Sequence, residues 1–134
     1  MNEIIYKDTK DFNVQELREL FLSVEWSSGH YPDKLVVAMK NSDSVFTAWD
    51  GDKLVGLINV LDDGIMTAYV HYMLVNPEYQ GHGIGKRLIC FVKEKYADYL
   101  KICLTSYSKS IGFYENCGFT ASKSTPMFIT SLWT

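Results

Sequence analysis

A glycine-rich stretch, Val75–Lys86, constrains the fold more than any other part of this sequence. It reads V-N-P-E-Y-Q-G-H-G-I-G-K and follows an apolar run, Tyr69–Val75. From Ile84 onward the apolar residues take helical spacing, so the stretch is predicted to turn the chain from a strand into a helix. Its glycines at positions 81, 83 and 85 permit a tight turn and bring backbone N–H groups close to a ligand, because they have no Cβ.

This predicted turn has the chemistry of a phosphate-binding site. The N–H groups at the start of a helix lack partners within the helix, and the helix dipole favours negative charge there. A nucleotide P-loop is disfavoured, because Gln80 stands where that pattern needs glycine and Arg87 where it needs Ser or Thr. The dinucleotide pattern G-x-G-x-x-G fails as well, because its sixth position falls on Lys86 or Leu88. A glycine-rich turn that binds nothing is the plain alternative.

The rest of the chain alternates between predicted strands and helices. Asp50-Gly51-Asp52 predicts a hairpin between two apolar runs, and Asn13 followed by Glu16 predicts a helix N-cap. The 134 residues fit one domain with its own core. The predicted strands are Glu3–Lys7, Val45–Trp49, Leu54–Leu61, Ile65–Val75, Lys101–Thr105, Phe119–Ala121 and Pro126–Leu132, and the predicted helices are Asn13–Glu25, Pro32–Ser42, Ile84–Tyr96 and Ser110–Cys117.

Composition limits the classes of function. A net charge of −3 without a basic stretch argues against nucleic acid as a partner and mildly favours a cationic substrate. No apolar run is long enough to cross a bilayer and no signal core follows Met1, so neither a membrane partner nor secretion is expected. The three cysteines lack C-x-x-C spacing, which favours reduced thiols in a cytoplasmic protein, and no metal is expected.

A second motif, Gly112–Phe119, reads G-F-Y-E-N-C-G-F and lies about 30 residues after the glycine-rich stretch. In this order, the two motifs resemble the acetyl-CoA pyrophosphate loop and the F-Y-x-x-x-G-F segment of the GNAT superfamily of N-acetyltransferases. The run Ala48–Gly56, A-W-D-G-D-K-L-V-G, is similar to that family's central hairpin. The resemblance therefore covers most of the chain.

The resemblance implies an α/β fold, with a single GNAT acetyltransferase domain over residues 1–134. The fold would have a mixed, strongly twisted central sheet of about six to seven strands with helices on both faces. The implied order is β-α-α-β-β-β-α-β-α-β, with one further strand optional. The sheet would open between its fourth and fifth strands, where the co-substrate acetyl-CoA inserts.

The resemblance also implies which residues bind acetyl-CoA. The backbone of Gln80–Lys86 would hold the pyrophosphate, and Leu74 and Val75 would present backbone groups to the pantetheine arm and the thioester carbonyl at a β-bulge. Many family members have a CoA-binding asparagine where this chain has Tyr107, so Ser108 is the candidate replacement. The full predicted set is Leu74, Val75, Gln80, Gly81, His82, Gly83, Ile84, Gly85, Lys86, Ser108 and Tyr114, in which the His82 side chain is expected to face solvent.

Two residues are predicted to move protons. Tyr114 is the general acid by resemblance, because a phenol with a pKa near 10 stays protonated at neutral pH and can protonate a leaving thiolate. His71, four residues before Val75, is the candidate general base, and some aralkylamine-type members have a histidine at this position. An aromatic core role for Tyr114 and a hydrogen-bonded core role for His71 are the alternatives.

The predicted function is transfer of acetyl from acetyl-CoA to a primary amine of a small molecule, by direct attack on the thioester. Acetylation of a protein or peptide is one alternative, and a non-catalytic acetyl-CoA sensor or interaction subunit is another. Trp26, Tyr31 and Tyr107 could line an enclosed acceptor pocket, although Trp26 and Tyr31 could equally cover the edge of the core. The family resemblance makes a homodimer an expectation.

Overall fold

The computed structural model describes residues 2–133. Its strands are β1 (Ile4–Asp8), β2 (Ser44–Asp50), β3 (Lys53–Asp62), β4 (Thr67–Val75) and β5 (Lys101–Leu104). Its α-helices are α1 (Val14–Ser23), α2 (Pro32–Asn41), α3 (Ile84–Lys95) and α4 (Ile111–Asn116), and short 3-10 helices cover Ser27–His30, Pro77–Tyr79 and Ser108–Ser110. Up to α4, the order of strands and α-helices is the predicted one. No helix in this part of the chain combines the length and the apolar character that a bilayer crossing requires.

The five strands form one mixed sheet in the order β1-β2-β3-β4-β5. Neighbours from β1 to β4 run antiparallel, and β5 runs parallel to β4. The predicted hairpin is confirmed, because Asp50 pairs with Lys53 across the turn and Gly51 has a φ of +58°. The fold is therefore mixed α/β.

The predicted count of six to seven strands is wrong for residues 2–133, which contain five. The two segments expected to complete the sheet, Phe119–Ala121 and Pro126–Leu132, contain no strand. A strand needs a neighbour to pair its backbone N–H and C=O groups, whereas an apolar pattern reports only on side chains. In the second segment Met127 and Ile129 are 89% and 106% exposed, so the apolar pattern there does not correspond to burial within the chain.

Contacts divide the chain into two compact units, residues 1–104 and residues 105–134. The first unit contains the whole sheet together with α1, α2 and α3. The second contains α4 and the segment that follows it.

Helices cover both faces of the sheet in the first unit. On one face, α1 and α2 form a core cluster with the sheet that includes Leu17, Leu20, Phe21, Leu35, Met39, Leu57 and Leu74. Gly56, one residue from Leu57, faces the opposite side because strand residues alternate. A Cβ at Gly56 would lie 3.0 Å from Ile84 Cγ2 and 3.4 Å from Leu88 Cδ1. The missing side chain thus lets the start of α3 pack directly on β3.

Predictions that depend only on neighbouring residues are confirmed. Asn13 caps α1: its Oδ1 accepts from the Glu16 N–H at 2.8 Å, and its Nδ2 donates to Glu16 Oε1 at 2.7 Å. Pro32 begins α2, where its missing N–H costs nothing. Gly118 follows α4 with a φ of +101°, as expected for a C-terminal glycine.

Candidate active site

The glycine turn between β4 and α3 has the backbone geometry that its sequence predicts. Gly81 and Gly83 have φ values of +82° and +81°, in the region that other residues rarely adopt. Gly83 is the N-cap of α3 and provides no side-chain hydrogen bond to the first turn, which leaves those N–H groups available. A Cβ at either glycine would have no heavy atom within 4 Å. The turn is therefore open, and its geometry fits a phosphate group held by backbone N–H groups.

Hydrogen bonds fix the segment that leads into this turn. The Tyr79 hydroxyl donates to Asp50 Oδ2 at 2.6 Å, which ties the turn to the β2–β3 hairpin and lowers the pKa of the Asp50 carboxyl. Gln80 Nε2 donates to the Val75 carbonyl at 3.0 Å. Asn76 Oδ1 accepts from the Glu78 N–H at 2.9 Å. These bonds join the turn to the end of β4 and to the neighbouring hairpin.

The two basic residues after the turn have different surroundings. Lys86 is exposed at the start of α3. The Arg87 guanidinium lies over the rings of Tyr6, at 5.8 Å, and Phe91, at 5.3 Å, so its charge makes cation–π contacts with β1 and α3. Of these two, Lys86 is the charge available to an anion at the turn.

The edge of β4 that faces β5 is only partly paired. The parallel ladder joins Thr67 through Val70 to Lys101 through Leu104 and ends there, whereas β4 continues to Val75. The Asn76 N–H donates to Val55 of β3 at 2.8 Å, so by alternation the backbone groups of Val75 face away from β3. Leu74 pairs with Leu57, and its side chain belongs to the core. Within residues 2–133 no strand pairs with β4 beyond Val70 on this edge, which matches the predicted opening between the fourth and fifth strands.

β4 contains a bulge at His71, not at Leu74–Val75 as predicted. Asn59 of β3 pairs with Tyr72 and the next residue, Val60, pairs with Val70, so His71 is the extra residue. The Tyr72 N–H donates to the side-chain Oδ1 of Asn59 at 2.8 Å. Val70 and Leu74 are an even number of residues apart, so in a regular strand their side chains would face the same side of the sheet. With the bulge between them they face opposite sides, and both are buried. The position of the bulge therefore follows from tertiary packing.

The environment of His71 differs from that of a core histidine. The residue is exposed, and its ring stacks on the Tyr72 ring with 4.0 Å between centroids. Within the described residues the imidazole makes no hydrogen bond. Neighbouring atoms still shield part of the ring from water, and this desolvation lowers the pKa of His71. At neutral pH the ring is therefore neutral and able to accept a proton.

Aromatic residues surround Tyr72 on the side of α1. Phe21 lies 5.0 Å and Trp26 5.8 Å from the Tyr72 ring, and the Tyr72 hydroxyl is hydrogen-bonded to Ser28. Trp26 also packs against the core cluster. The side chain of Trp26 therefore covers the core edge and contacts the residue that stacks on His71.

In the second unit, Tyr114 of α4 lies between two phenylalanines. The ring centroids of Phe113 and Phe119 are 5.1 Å and 5.8 Å from that of Tyr114. Burial raises the pKa of the Tyr114 phenol, so it stays protonated well beyond neutral pH. Ser108, in the 3-10 helix Ser108–Ser110, and Tyr107 just before it are both exposed.

Sequence reasoning missed Asn59, which is 1% exposed and holds the bulge. A signal was present, because Asn59 is the one polar side chain in the apolar run L-V-G-L-I-N-V-L of β3. A buried amide in such a run needs partners of its own. Those partners come from other elements, so the sequence could indicate the residue but not its role.

Comparisons with known proteins agree with this geometry. The family model described as "Acetyltransferase (GNAT) domain" matches residues 41–121. The chloroplastic GCN5-related N-acetyltransferase 2 of Arabidopsis thaliana is 31% identical, with 90% of this chain and 55% of that protein covered. Histone acetyltransferase TAP1 of Glycine max is 30% identical, with 90% and 58% covered. The chain thus spans a little over half the length of these two curated relatives.

A solved structure extends the likeness to nearly the whole chain. A GNAT-family acetyltransferase from Streptococcus pneumoniae has a TM-score of 0.83 and 27% identity, and the match covers 96% of this chain and 98% of that one. The family model covers more than half of the residues, and it includes both the glycine turn and α4. On this evidence, the chain belongs to the GNAT family of acetyltransferases.

Proposed function

We propose that this chain transfers the acetyl group of acetyl-CoA to a primary amine of a small molecule, by direct attack of the amine on the thioester. The observation that supports this most strongly is the open glycine turn at the start of α3, next to a strand whose outer edge is unpaired beyond Val70. Such a pair of features suits a ligand with a phosphate group at one end and an amide-containing arm along a strand.

Binding of acetyl-CoA is assigned to backbone groups. Within Gln80–Lys86, the Gln80 N–H is bonded to the Pro77 carbonyl at 3.4 Å, so the N–H groups after it, which include those of His82, Ile84 and Gly85, would hold the pyrophosphate, and Lys86 would add a positive charge. The backbone at Leu74 and Val75 would meet the pantetheine arm along the open edge of β4. Ser108 is a further candidate contact. Acetyl-CoA, when bound, supplies the acetyl group as an activated thioester.

Proton transfer is assigned to two side chains. His71, neutral at pH 7, would accept a proton from the incoming ammonium, directly or through a water molecule. Tyr114, whose pKa is raised by burial, would donate its hydroxyl proton to the departing thiolate sulfur. The physical basis is that each residue is in the required protonation state at neutral pH.

The acceptor could also be a protein or peptide. The relative named histone acetyltransferase TAP1 supports this second candidate. The Tyr72 ring, which contacts both His71 and Trp26, would attract the ammonium group of either kind of acceptor. Tyr31 and Tyr107 remain candidates for the acceptor site.

A thiol-release assay tests the proposal. Purified protein with acetyl-CoA is given small amines, polyamines, amino acids and peptides, and free thiol is measured over time. A small amine should give the highest kcat/KM, and Tyr114→Phe should lower kcat by about 100-fold. A preference for peptides would favour the second candidate. If the wild-type protein releases no thiol with any of these acceptors but its Tm rises in acetyl-CoA, the protein is a sensor and the proposal is refuted.

We further propose that two copies associate through the apolar side chains near the end of the chain. Met127, Phe128, Ile129 and Leu132 are all highly exposed, and several exposed large apolar residues in one short segment suit an interaction site. Light scattering should give twice the chain mass, and Ile129→Ser should reduce it. A single-copy mass for the wild type at micromolar concentration would refute this.

The remaining expectations also stand as proposals. A single domain over residues 1–134 is supported by the family match, which includes residues from both compact units. A cytoplasmic location is supported by the three free cysteines.

A further inference from the structure

We propose that Asn59 is a positioning residue for the reaction, because its side chain holds the β4 bulge and so fixes the place of His71. This inference rests on the proposed acetyl transfer. The Asn59 side chain bonds to the Tyr72 N–H and to Ser42 Oγ, so its effect on β4 would pass through Tyr72.

The Asn59 side chain is part of a continuous buried hydrogen-bond chain. Asn59 is 1% exposed, and its Oδ1 accepts from the Tyr72 N–H at 2.8 Å. Its Nδ2 donates to Ser42 Oγ at 3.1 Å, and Ser42 Oγ donates to the Ala38 carbonyl at 2.9 Å. These bonds run from the end of α2 through β3 to the middle of β4. A buried amide with such partners is held in one orientation.

The bulge explains why a side chain is needed at this point. Because His71 is an extra residue in β4, the Tyr72 backbone does not follow the regular hydrogen-bond pattern between β3 and β4. The Tyr72 N–H nevertheless points toward β3. A buried N–H without a partner costs about 1–3 kcal/mol. Asn59 supplies an oxygen in place of the ladder carbonyl. The bulge therefore persists without an unpaired donor.

Tyr72 then passes this constraint to His71. The two residues are adjacent, and their rings stack at 4.0 Å with an interplanar angle of 20°. The Phe21 ring packs edge-on against the Tyr72 ring, and Ser28 is hydrogen-bonded to the Tyr72 hydroxyl. With both its backbone and its ring held, Tyr72 leaves the His71 imidazole one preferred position.

A role in core stability alone would predict a different outcome from a role in positioning. Loss of stability lowers the amount of folded enzyme but leaves the kcat of each folded molecule unchanged. Displacement of the base lowers kcat, whereas the KM for acetyl-CoA stays the same, because Asn59 makes no side-chain hydrogen bond to the glycine turn. The split between kcat and KM therefore separates the two roles.

The experiment compares Asn59→Leu and Ser42→Ala with the control Thr47→Val. Leucine has nearly the shape of asparagine but cannot accept a hydrogen bond. Ser42→Ala removes the two bonds made by Ser42 Oγ and leaves the bond between Asn59 Oδ1 and the Tyr72 N–H. Thr47 is buried on β2, accepts from Trp49 Nε1 at 2.8 Å and donates to the Lys7 carbonyl at 3.2 Å. The control thus loses one buried and one partly buried hydrogen bond, on a strand two positions away from β4.

We expect Asn59→Leu to lower kcat about tenfold and Ser42→Ala about threefold, with the acetyl-CoA KM unchanged in both. The Tyr72 amide should exchange with deuterium faster in both, and Thr47→Val should keep the wild-type kcat. If Asn59→Leu does not fold, Ser42→Ala decides by the same measures. Wild-type kcat in the folded variants would overturn this inference alone, whereas a wild-type protein inactive with every amine would overturn the proposed function as well.

Discussion

The glycine turn and the β4 bulge lie at two ends of the same short stretch of chain, but they are determined in different ways. In the turn, Gly81 and Gly83 adopt positive φ values, a property of those residues themselves. At the bulge, His71 has no special backbone requirement, and the extra residue is set by burial of Val70 and Leu74 and by the side chain of Asn59.

The two features have separate roles in the proposed function: the glycine turn binds acetyl-CoA, and the bulge positions the base, His71. The turn provides backbone N–H groups, which every residue has, so it can be specified by glycines alone. In the proposed function the bulge has to position one particular side chain, that of His71, which requires support from neighbouring strands and helices. We therefore expect mutations at the turn to change affinity for acetyl-CoA and mutations at the bulge to change kcat.

The largest effect should come from His71→Gln, which keeps a polar side chain but removes the base. We expect kcat at neutral pH to fall about 100-fold, the usual order of a general-base contribution, with little change in the acetyl-CoA KM. His30→Gln, at an exposed histidine in the 3-10 helix Ser27–His30, is the matched control and should keep wild-type rates. Equal rates for the two variants would assign the base to another group.

The pH dependence of the wild-type enzyme sharpens the same prediction. Desolvation lowers the pKa of His71, so its neutral, proton-accepting form persists to lower pH than in a free histidine. The rate should therefore fall as pH falls, with a midpoint below about 6.5, the ordinary histidine value. A pH profile of kcat/KM checks this, and His71→Gln should remove the decline. A midpoint above the ordinary histidine value would contradict it.

An intermediate effect is expected for Gly83→Ala at the turn. Alanine at a φ of +81° costs about 1–2 kcal/mol, so we expect the turn to distort and the acetyl-CoA Kd to rise about tenfold. Gly64→Ala is a matched control, because Gly64 also has positive φ, at +87°, and open space around its missing Cβ. Calorimetry should show weaker binding in Gly83→Ala only. Equal affinities would remove the turn from the binding site.

The smallest effect should come from Tyr79→Phe, which removes the hydrogen bond between the turn and Asp50. Water can replace this partly buried bond, so its loss should lower the free energy of unfolding only slightly. We expect a two- to threefold rise in the acetyl-CoA KM and an unchanged kcat. Steady-state kinetics checks both values. A fall in kcat with an unchanged acetyl-CoA KM would contradict the expectation that mutations at the turn change affinity and mutations at the bulge change kcat.

Sequence patterns predicted the parts of this fold that depend on near neighbours. Asn13 with Glu16, the hairpin at Gly51 and the glycine turn all have the expected geometry. The predicted bulge at Leu74–Val75 lies nearer the end of β4 than the observed bulge at His71, because the position of the bulge depends on which residues of β3 lie opposite. The segment Pro126–Leu132 was assigned to a strand from its apolar pattern, although strand formation depends on a partner that the pattern does not identify.

Gly56 has a consequence for how this enzyme could change over evolutionary time. A Cβ at Gly56 would lie 3.0 Å from Ile84 Cγ2 and 3.3 Å from Ala48 Cβ, so a larger residue there would require α3 or β2 to shift. Ile84 is the first residue of α3 and directly follows the turn proposed to bind the pyrophosphate, so a substitution at Gly56 would reach that turn through Ile84 although Gly56 itself contacts no ligand group in the proposal.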